Sequence, residues 1–389
     1  LFYLPPEKIV IGIFKNIHPG YIITVMSWEL DNTQREAVEA PDRTVMVVAG
    51  PGTGKTRVLT ARAVWLTEVE QVDPSRIRAI TYTNRATAEM KSRLASRKTA
   101  DGKDRSPASE VAVSTFHAWA YRLVRDYADA LGFSHEPVVF DEDATEQLLL
   151  RLLGQKRIPE EALPLRYLKQ LIDRTKADVA CPLMDKRFDP EHYEVVIDLM
   201  RSYQQELELR GALDFADILI NALRLLHLHP DVREKITGSI DHFLIDEFQD
   251  INAAQYRLIE ALDHPGLNIF AVGDEDQTIY SFRGSSGVFM DRFVADFNAR
   301  LIPLGRSYRC SDEILYAAAH LIGQNRRYYQ QPPRPPKNLE KNKPIGIFEL
   351  ENEDEESKLV AKLIRSWVTS GCSYRDIAIL YRVHYLANE

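Results

Sequence analysis

A glycine-rich loop between an apolar run and a helical pattern constrains this chain more than any other stretch. The apolar run is Val45–Val48, and the loop reads Ala49-Gly50-Pro51-Gly52-Thr53-Gly54-Lys55-Thr56. This order predicts a phosphate-binding loop, because glycines let backbone N–H groups converge and a helix N-terminus adds positive charge. We expect Lys55 to reach the β- and γ-phosphates of a nucleotide and the Thr56 hydroxyl to ligate Mg²⁺.

A second apolar run ends in acidic residues. His242–Ile245 is followed by Asp246-Glu247-Phe248-Gln249-Asp250. We expect Asp246 to hold Mg²⁺, directly or through water, and Glu247 to orient and deprotonate the attacking water. One carboxylate on the metal and one on the water is the division of roles that phosphoryl transfer to water requires.

A third motif, Gly273–Gly284, combines an amide with aromatic and basic side chains. The amide of Gln277 is suited to contact a γ-phosphate. Tyr280, Phe282 and Arg283 have the spacing and chemistry for stacking on unpaired bases and contacting phosphate. A nucleotide contact and a base contact in one loop predict that nucleotide state and grip on a strand are coupled.

Composition excludes some classes of function. The net charge of −8 over 389 residues argues against a uniformly basic nucleic-acid binder, although one face can still be basic. Cys181, Cys310 and Cys372 lack metal-ligand spacing, which indicates a reduced, cytoplasmic protein. The apolar residues of 1–25 are interrupted by polar ones, so we expect no membrane association there and treat 1–25 as an N-terminal appendage of unknown role.

The alternation of strands and helices predicts an α/β fold with a parallel sheet covered on both faces. We assign 26–115 and 230–303 to a first domain and 116–229, whose patterns are all helical, to an insertion within it. Residues 304–389 are expected to begin a second, incomplete α/β domain. Its first strands are predicted at 345–350 and 377–381.

Together these motifs resemble those of the UvrD/Rep/PcrA-type superfamily-one DNA helicases. The motifs that carry the resemblance run in the family's order: Thr33-Gln34-Arg35, Ala49–Thr56, Thr81–Ala86, Ser114–His117, Leu213–Asp217, Asp246–Asp250, Gly273–Gly284 and Ser307-Tyr308-Arg309. The resemblance implies RecA-like P-loop NTPase domains that use ATP and Mg²⁺.

The resemblance also implies roles for individual residues. Gln34 would read adenine, Arg57 would lie near the base, Tyr308 would stack on it, and Arg309 would contact the γ-phosphate. Lys55, Asp246, Glu247, Gln277 and Arg309 are thus the candidate catalytic residues, and Thr56 and Asp246 the candidate metal ligands. The residues expected to contact DNA are Tyr82, Thr83, Asn84, His117, Tyr280, Phe282 and Arg283.

The function implied is ATP-dependent 3′-to-5′ movement on single-stranded DNA and unwinding at duplex junctions. The direction comes from the family alone. The sequence stops at Glu389, before the family's second helical insertion and later motor motifs, so we expect slow turnover and no unwinding by this chain alone. Two alternatives stay open: the motor part of a RecB/AddA-like helicase–nuclease, and an ATP-gated DNA-binding module without turnover. The sequence predicts no particular protein partner.

Overall fold

The computed structural model describes residues 12–15, 30–96, 106–159, 163–178, 190–278, 287–323 and 345–381. These residues belong to two compact units. The larger unit contains 30–315, and the smaller contains 12–15, 316–323 and 345–381. None of the helices in the described ranges is both long and apolar enough to cross a bilayer.

The strands are β1 (Gly12–Lys15), β2 (Thr44–Ala49), β3 (Ile77–Thr81), β4 (Ala112–Thr115), β5 (Val138–Val139), β6 (Ala212–Leu213), β7 (His242–Ile245), β8 (Asn268–Gly273), β9 (Arg300–Leu304) and β10 (Ile377–Leu380). The helices are α1 (Asn32–Glu39), α2 (Lys55–Glu68), α3 (Asn84–Ala95), α4 (Phe116–Asp126), α5 (Glu142–Gln155), α6 (Leu165–Asp178), α7 (Pro190–Leu209), α8 (Phe215–Leu228), α9 (Pro230–Thr237), α10 (Ala253–Leu262), α11 (Val288–Asp296), α12 (Asp312–Ile322) and α13 (Glu353–Thr369).

The larger unit is built on a six-stranded sheet with the order β4-β3-β7-β8-β2-β9, in which neighbouring strands are parallel. Successive residues of a strand face opposite sides of a sheet. Met46 accordingly lies in one buried apolar core and Val47 in another, and Phe243 and Leu244 divide in the same way. Two apolar faces explain why these strands read as continuous hydrophobic runs. The predicted α/β class with a parallel sheet is confirmed.

The register brings the C-terminal ends of β2, β7 and β8 to one edge of the sheet. Val48 pairs with Gly273, and Ile245 pairs with Ala271. Because parallel strands share a direction, the loops that follow β2, β7 and β8 leave the sheet side by side. All three predicted phosphate-site motifs begin at these ends.

The segment 116–229 departs slightly from the all-helical insertion predicted for it. Alongside α4 to α8, it contains the short parallel pair β5–β6, with Val138 opposite Ala212. A two-residue strand is too short to show the alternating pattern by which strands are recognised in a sequence. Helices α5, α6 and α7 enclose a separate apolar core around Leu149, Leu168 and Leu199.

The smaller unit corrects one strand prediction and supports another. The described residues 345–350 form neither helix nor strand, and their apolar side chains are exposed. A strand needs a hydrogen-bonded neighbour, and an apolar run alone does not supply one. β10 lies at the second predicted position and pairs antiparallel with β1, with Gly12 opposite Leu380. Asn352 caps α13, whose first turn is acidic, as the helix dipole favours.

A buried ion cluster joins α6 to the start of α8. The ammonium of Lys176 lies 2.6 Å from Asp214 Oδ2 and 2.8 Å from Asp217 Oδ1, and Tyr203 donates to Asp214 at 3.1 Å. Burial and the nearby Asp214 charge raise the pKa of Asp217, and Lys176 opposes that rise. Two buried carboxylates therefore depend on one cation.

We expect Lys176→Met to lower the free energy of unfolding by about 3–5 kcal/mol, because it leaves buried carboxylates uncompensated. A raised pKa means that the folded state binds more protons, so stability is lost as the pH rises through the folded pKa. The defect should thus shrink as the pH falls through the raised pKa of Asp217. Urea unfolding of Lys176→Met beside Lys156→Met, which removes the exposed pair with Asp198, tests this. Equal, pH-independent losses in both variants would contradict it.

Candidate nucleotide and DNA site

The loop after β2 has the backbone geometry of a phosphate cradle. Gly52 and Gly54 adopt positive φ angles of 73° and 94°, in the region that favours glycine. Thr53 closes the turn by donating its hydroxyl to the Gly50 carbonyl at 2.8 Å. Helix α2 then begins at Lys55, so its free N–H groups face the loop.

The amino group of Lys55 is the most constrained charge in the site. The Lys55 side chain is only 10% exposed, and Nζ lies 3.6 Å from Glu247 Oε2 and 3.5 Å from Asp274 Oδ2. Within the described part of the chain, Nζ makes no hydrogen bond. A buried ammonium with unused donors fits a phosphate ligand, since buried polar groups otherwise find partners.

Thr56 and Asp246 come together as expected of two metal ligands. Their side-chain oxygens, Oγ1 and Oδ2, are 3.3 Å apart. Burial, together with the Glu247 charge, raises the pKa of Asp246 to about 6. No group of three or more His, Cys, Asp or Glu side chains among the described residues could hold a metal ion. Magnesium at nucleotide sites needs only one or two protein ligands, because phosphates and water complete its shell.

Gln249 connects the second motif to the third. Its amide nitrogen donates to Glu247 Oε2 at 2.9 Å, and its amide oxygen accepts the Asp274 N–H at 2.9 Å. Gln249 is buried, and Glu247 itself has a positive φ of 50°. A non-glycine residue in that region is held there by its surroundings. The Glu247 carboxylate is therefore fixed in direction.

Asp274 is the second residue of the third motif, and the sequence analysis gave it no role. Asp274 is buried and accepts a 2.6 Å hydrogen bond from the Gln277 side chain. Burial raises its pKa, while Lys55 and hydrogen bonds oppose that rise. Asp274 thus lies between Gln277 and Lys55 and contacts both side chains. Burial, reinforced by Glu247, also raises the pKa of Asp250, to about 7.

The turn 307–309 rests directly on the phosphate loop. Ser307 is fully buried and donates its hydroxyl to the Pro51 carbonyl at 2.9 Å, and Tyr308 N–H donates to the Gly52 carbonyl at 2.8 Å. A Cβ added to Gly52 would lie 2.6 Å from Arg309 Cβ. This close approach requires glycine at position 52 for packing as well as for its φ angle.

The residues predicted to recognise the base lie beside this turn. Gln34 is buried and donates its amide to the Thr53 carbonyl at 2.8 Å, and the Tyr308 hydroxyl donates to Asp31 at 2.5 Å. Arg57 is in the first turn of α2. The structure therefore gathers the predicted nucleotide residues around one loop, and their individual roles stay predictions. The sequence analysis assigned no role to three residues that link the segments of the site by hydrogen bonds or ion pairs, although each lies within a recognised motif. These residues are Gln249, Asp274 and Ser307.

Several predicted DNA contacts follow neighbouring strands. Tyr82, Thr83 and Asn84 follow β3, and His117 follows β4, its neighbour in the sheet. Thr83 caps α3 and is exposed, as is Asn84. The His117 ring stacks on Phe215, with centroids 4.0 Å apart, and Phe215 is 61% exposed. Tyr280, Phe282 and Arg283, also predicted to contact DNA, lie outside the described residues.

Comparison with known proteins identifies the family. The family model for the UvrD/REP helicase N-terminal domain matches residues 30–298, and that for the UvrD-like helicase C-terminal domain matches 302–389. The chain belongs to the UvrD/REP helicase family. The resemblance inferred from the motifs is confirmed.

Named relatives are similar over most of this UvrD/REP family chain. It is 35% identical to DNA helicase II of Haemophilus influenzae over 357 residues, which is 91% of this chain and 48% of that protein. It is 32% identical to the ATP-dependent DNA helicase PcrA of Leuconostoc citreum over 362 residues, 91% of this chain and 47% of that protein. The chain spans about half the length of these curated relatives.

The contact between Gly52 and the 307–309 turn generates a test of the UvrD/REP site. Gly52→Ala should lower the free energy of unfolding by more than Gly132→Ala does. Both positions have positive φ, which costs about 1–3 kcal/mol for a non-glycine residue. No described atom lies within 4 Å of a Cβ at Gly132, whereas one at Gly52 collides with Arg309 and Ser307. Urea unfolding compares the two variants, and equal losses would mean that the turn does not rest on the loop.

Proposed function

We propose that this chain is the nucleotide-hydrolysing part of an ATP-dependent DNA helicase or translocase, with ATP–Mg²⁺ as its cofactor. The observation that carries the proposal is the buried ammonium of Lys55, which lies among the ends of β2, β7 and β8 without a hydrogen-bond partner in the described structure. Such a charge fits the β- and γ-phosphates of a nucleotide.

The surrounding side chains divide the chemistry. Thr56 and Asp246 would hold Mg²⁺, which when bound neutralises phosphate charge. Glu247 is suited to be the general base, because Gln249 fixes one carboxylate oxygen while the residue remains partly exposed. In that role it accepts a proton from water as the water oxygen bonds to the γ-phosphorus. The bond from that phosphorus to the β,γ-bridging oxygen breaks, and its electron pair leaves with ADP. Gln277 and Arg309 would contact the γ-phosphate.

The base of the nucleotide has a separate set of candidates. Gln34, Arg57 and Tyr308 lie next to the phosphate loop and would recognise and stack on adenine. Support for this comes from two hydrogen bonds to the phosphate loop. Gln34 donates to the Thr53 carbonyl, and the Tyr308 N–H donates to the Gly52 carbonyl. The similarity to proteins named as ATP-dependent helicases supports the same ligand.

The DNA partner is single-stranded DNA and its junctions with duplex, with movement from 3′ to 5′. Tyr82, Thr83, Asn84 and His117 would line the strand. Aromatic and basic residues after sheet strands suit stacking and phosphate contact. The names of the relatives, DNA helicase II among them, support a DNA substrate. The direction rests on the family resemblance.

The nucleotide chemistry is tested by two substitutions. Lys55→Ala should abolish ATP binding, because it removes the charge that offsets the phosphates. Glu247→Gln should bind ATP as the unmodified chain does and lose hydrolysis, because only the base is removed. Titration with ATP–Mg²⁺ and a phosphate-release assay with DNA measure both effects, with Lys235→Ala, an exposed lysine on α9, as the control. A chain that binds ATP and DNA but releases no phosphate would be a binding module without turnover.

Equal losses of ATP affinity in Lys55→Ala and Glu247→Gln would show that Glu247 acts in binding. Normal hydrolysis by Glu247→Gln would show that another group accepts the proton from water. Either result would contradict the general-base assignment.

The DNA surface is tested at His117. We expect His117→Ala to weaken binding of a labelled single-stranded oligonucleotide about 2- to 10-fold, the effect of one lost hydrogen bond. ATP affinity should not change, and DNA affinity should fall with added salt as counterions compete. Fluorescence anisotropy gives both results, with His135→Ala, an exposed histidine in the loop before β5, as the control. Unchanged DNA affinity in His117→Ala would remove His117 from the DNA site.

A further inference from the structure

Asp31 occupies a position where one carboxylate serves two elements of the nucleotide site. It is the N-cap of α1, and Oδ1 accepts the Gln34 N–H at 2.8 Å and the Thr33 hydroxyl at 2.7 Å. In return the Asp31 N–H donates to Gln34 Oε1 at 3.2 Å, which completes a capping box. Both the backbone and the side-chain amide of Gln34 are therefore held by Asp31.

The second carboxylate oxygen of Asp31 faces another part of the chain. Oδ2 accepts the Tyr308 hydroxyl at 2.5 Å across 277 residues of sequence. Burial and this hydrogen bond raise the pKa of Tyr308 to about 12. Burial alone would raise the pKa of Asp31, but hydrogen bonds from Tyr308, Gln34 and Thr33 bring it below 3.8. The pair is thus a phenol donor with an ionised acceptor at neutral pH.

The same network reaches the phosphate loop at two points. Gln34 Nε2 donates to the Thr53 carbonyl at 2.8 Å, and Tyr308 N–H donates to the Gly52 carbonyl at 2.8 Å. Asp31 therefore joins the two side chains assigned to the base, and each of them is separately attached to the loop assigned to the phosphates. Tyr308 remains 39% exposed, and the Arg306 guanidinium lies over its ring, 5.1 Å from the centroid.

We propose that Asp31 is a positioning residue for base recognition, which sets Gln34 and Tyr308 in a fixed relation to the phosphate loop. It touches no part of the nucleotide in this role. The inference rests on the proposed nucleotide-binding function and assigns to Asp31 the selectivity for the base, as distinct from affinity for the phosphates. From sequence alone Asp31 is only a possible helix cap.

The test removes the hydrogen bond between Asp31 and Tyr308 while it keeps a cap on α1. Asp31→Ser keeps a good N-cap for α1 but is too short to reach Tyr308, and Tyr308→Phe keeps the ring but removes the hydroxyl. Calorimetric titrations of the 389-residue chain use ATP, GTP and inorganic tripolyphosphate, each with Mg²⁺. Tyr121→Phe is the matched control, because it removes a tyrosine–carboxylate hydrogen bond to Glu136 away from the site.

We expect the unmodified chain to prefer ATP to GTP. Asp31→Ser and Tyr308→Phe should each weaken ATP binding about 3- to 10-fold, as one hydrogen bond to a charged group allows, and reduce the preference over GTP. Binding of tripolyphosphate should change less than about 2-fold, since the phosphate loop is intact. The double variant should be no weaker than either single one, because both remove the same bond. Tyr121→Phe should match the unmodified chain.

Four results would overturn the proposal. A parallel loss for ATP and tripolyphosphate would make Asp31 a general structural residue, and an unchanged ATP-to-GTP ratio would remove it from base recognition. Additive losses in the double variant would mean that Asp31 and Tyr308 act separately. If the unmodified chain binds neither ATP nor tripolyphosphate, the proposed function itself fails and the role of Asp31 fails with it.

Discussion

The ammonium of Lys55 is the charge around which this site is arranged. It is buried at the end of a parallel sheet, between the carboxylates of Glu247 and Asp274 at ion-pair distances, without a hydrogen bond to any described residue. Desolvating a cation is costly, and two nearby carboxylates offset part of that cost. Because they lie at 3.5–3.6 Å, the donors of Lys55 remain available for an anionic ligand. An incompletely satisfied charge of this kind is typical of functional sites.

The sheet is what keeps this charge in place. The parallel register aligns the ends of β2, β7 and β8, and Gln249 then links Glu247 to the Asp274 backbone. The turn at Ser307 contacts the loop through a hydrogen bond to the Pro51 carbonyl. These contacts join segments that are far apart in sequence into one hydrogen-bonded network.

Much of this arrangement could be predicted from local sequence patterns, in which neighbouring residues determine the structure. Strand β7 was predicted at the bounds observed, because a short apolar run followed by acids is distinctive. Asp274, Gln249 and Ser307 could not be assigned roles, because their partners are set by strand order and by the return of the chain to the phosphate loop. The run 345–350 resembles a strand in composition but lacks a pairing neighbour, and composition does not encode that neighbour.

Hydrogen–deuterium exchange of the chain with a non-hydrolysable ATP analogue and Mg²⁺ tests the central claim most directly. The account predicts slower exchange of backbone amides in 50–57, 246–250, 274–277 and 307–310, because ligand contacts and the hydrogen bonds between these segments suppress local opening. Helix α9, away from these motifs, should exchange as before. Unchanged exchange in the phosphate loop, or protection concentrated elsewhere, would contradict a nucleotide site built around Lys55.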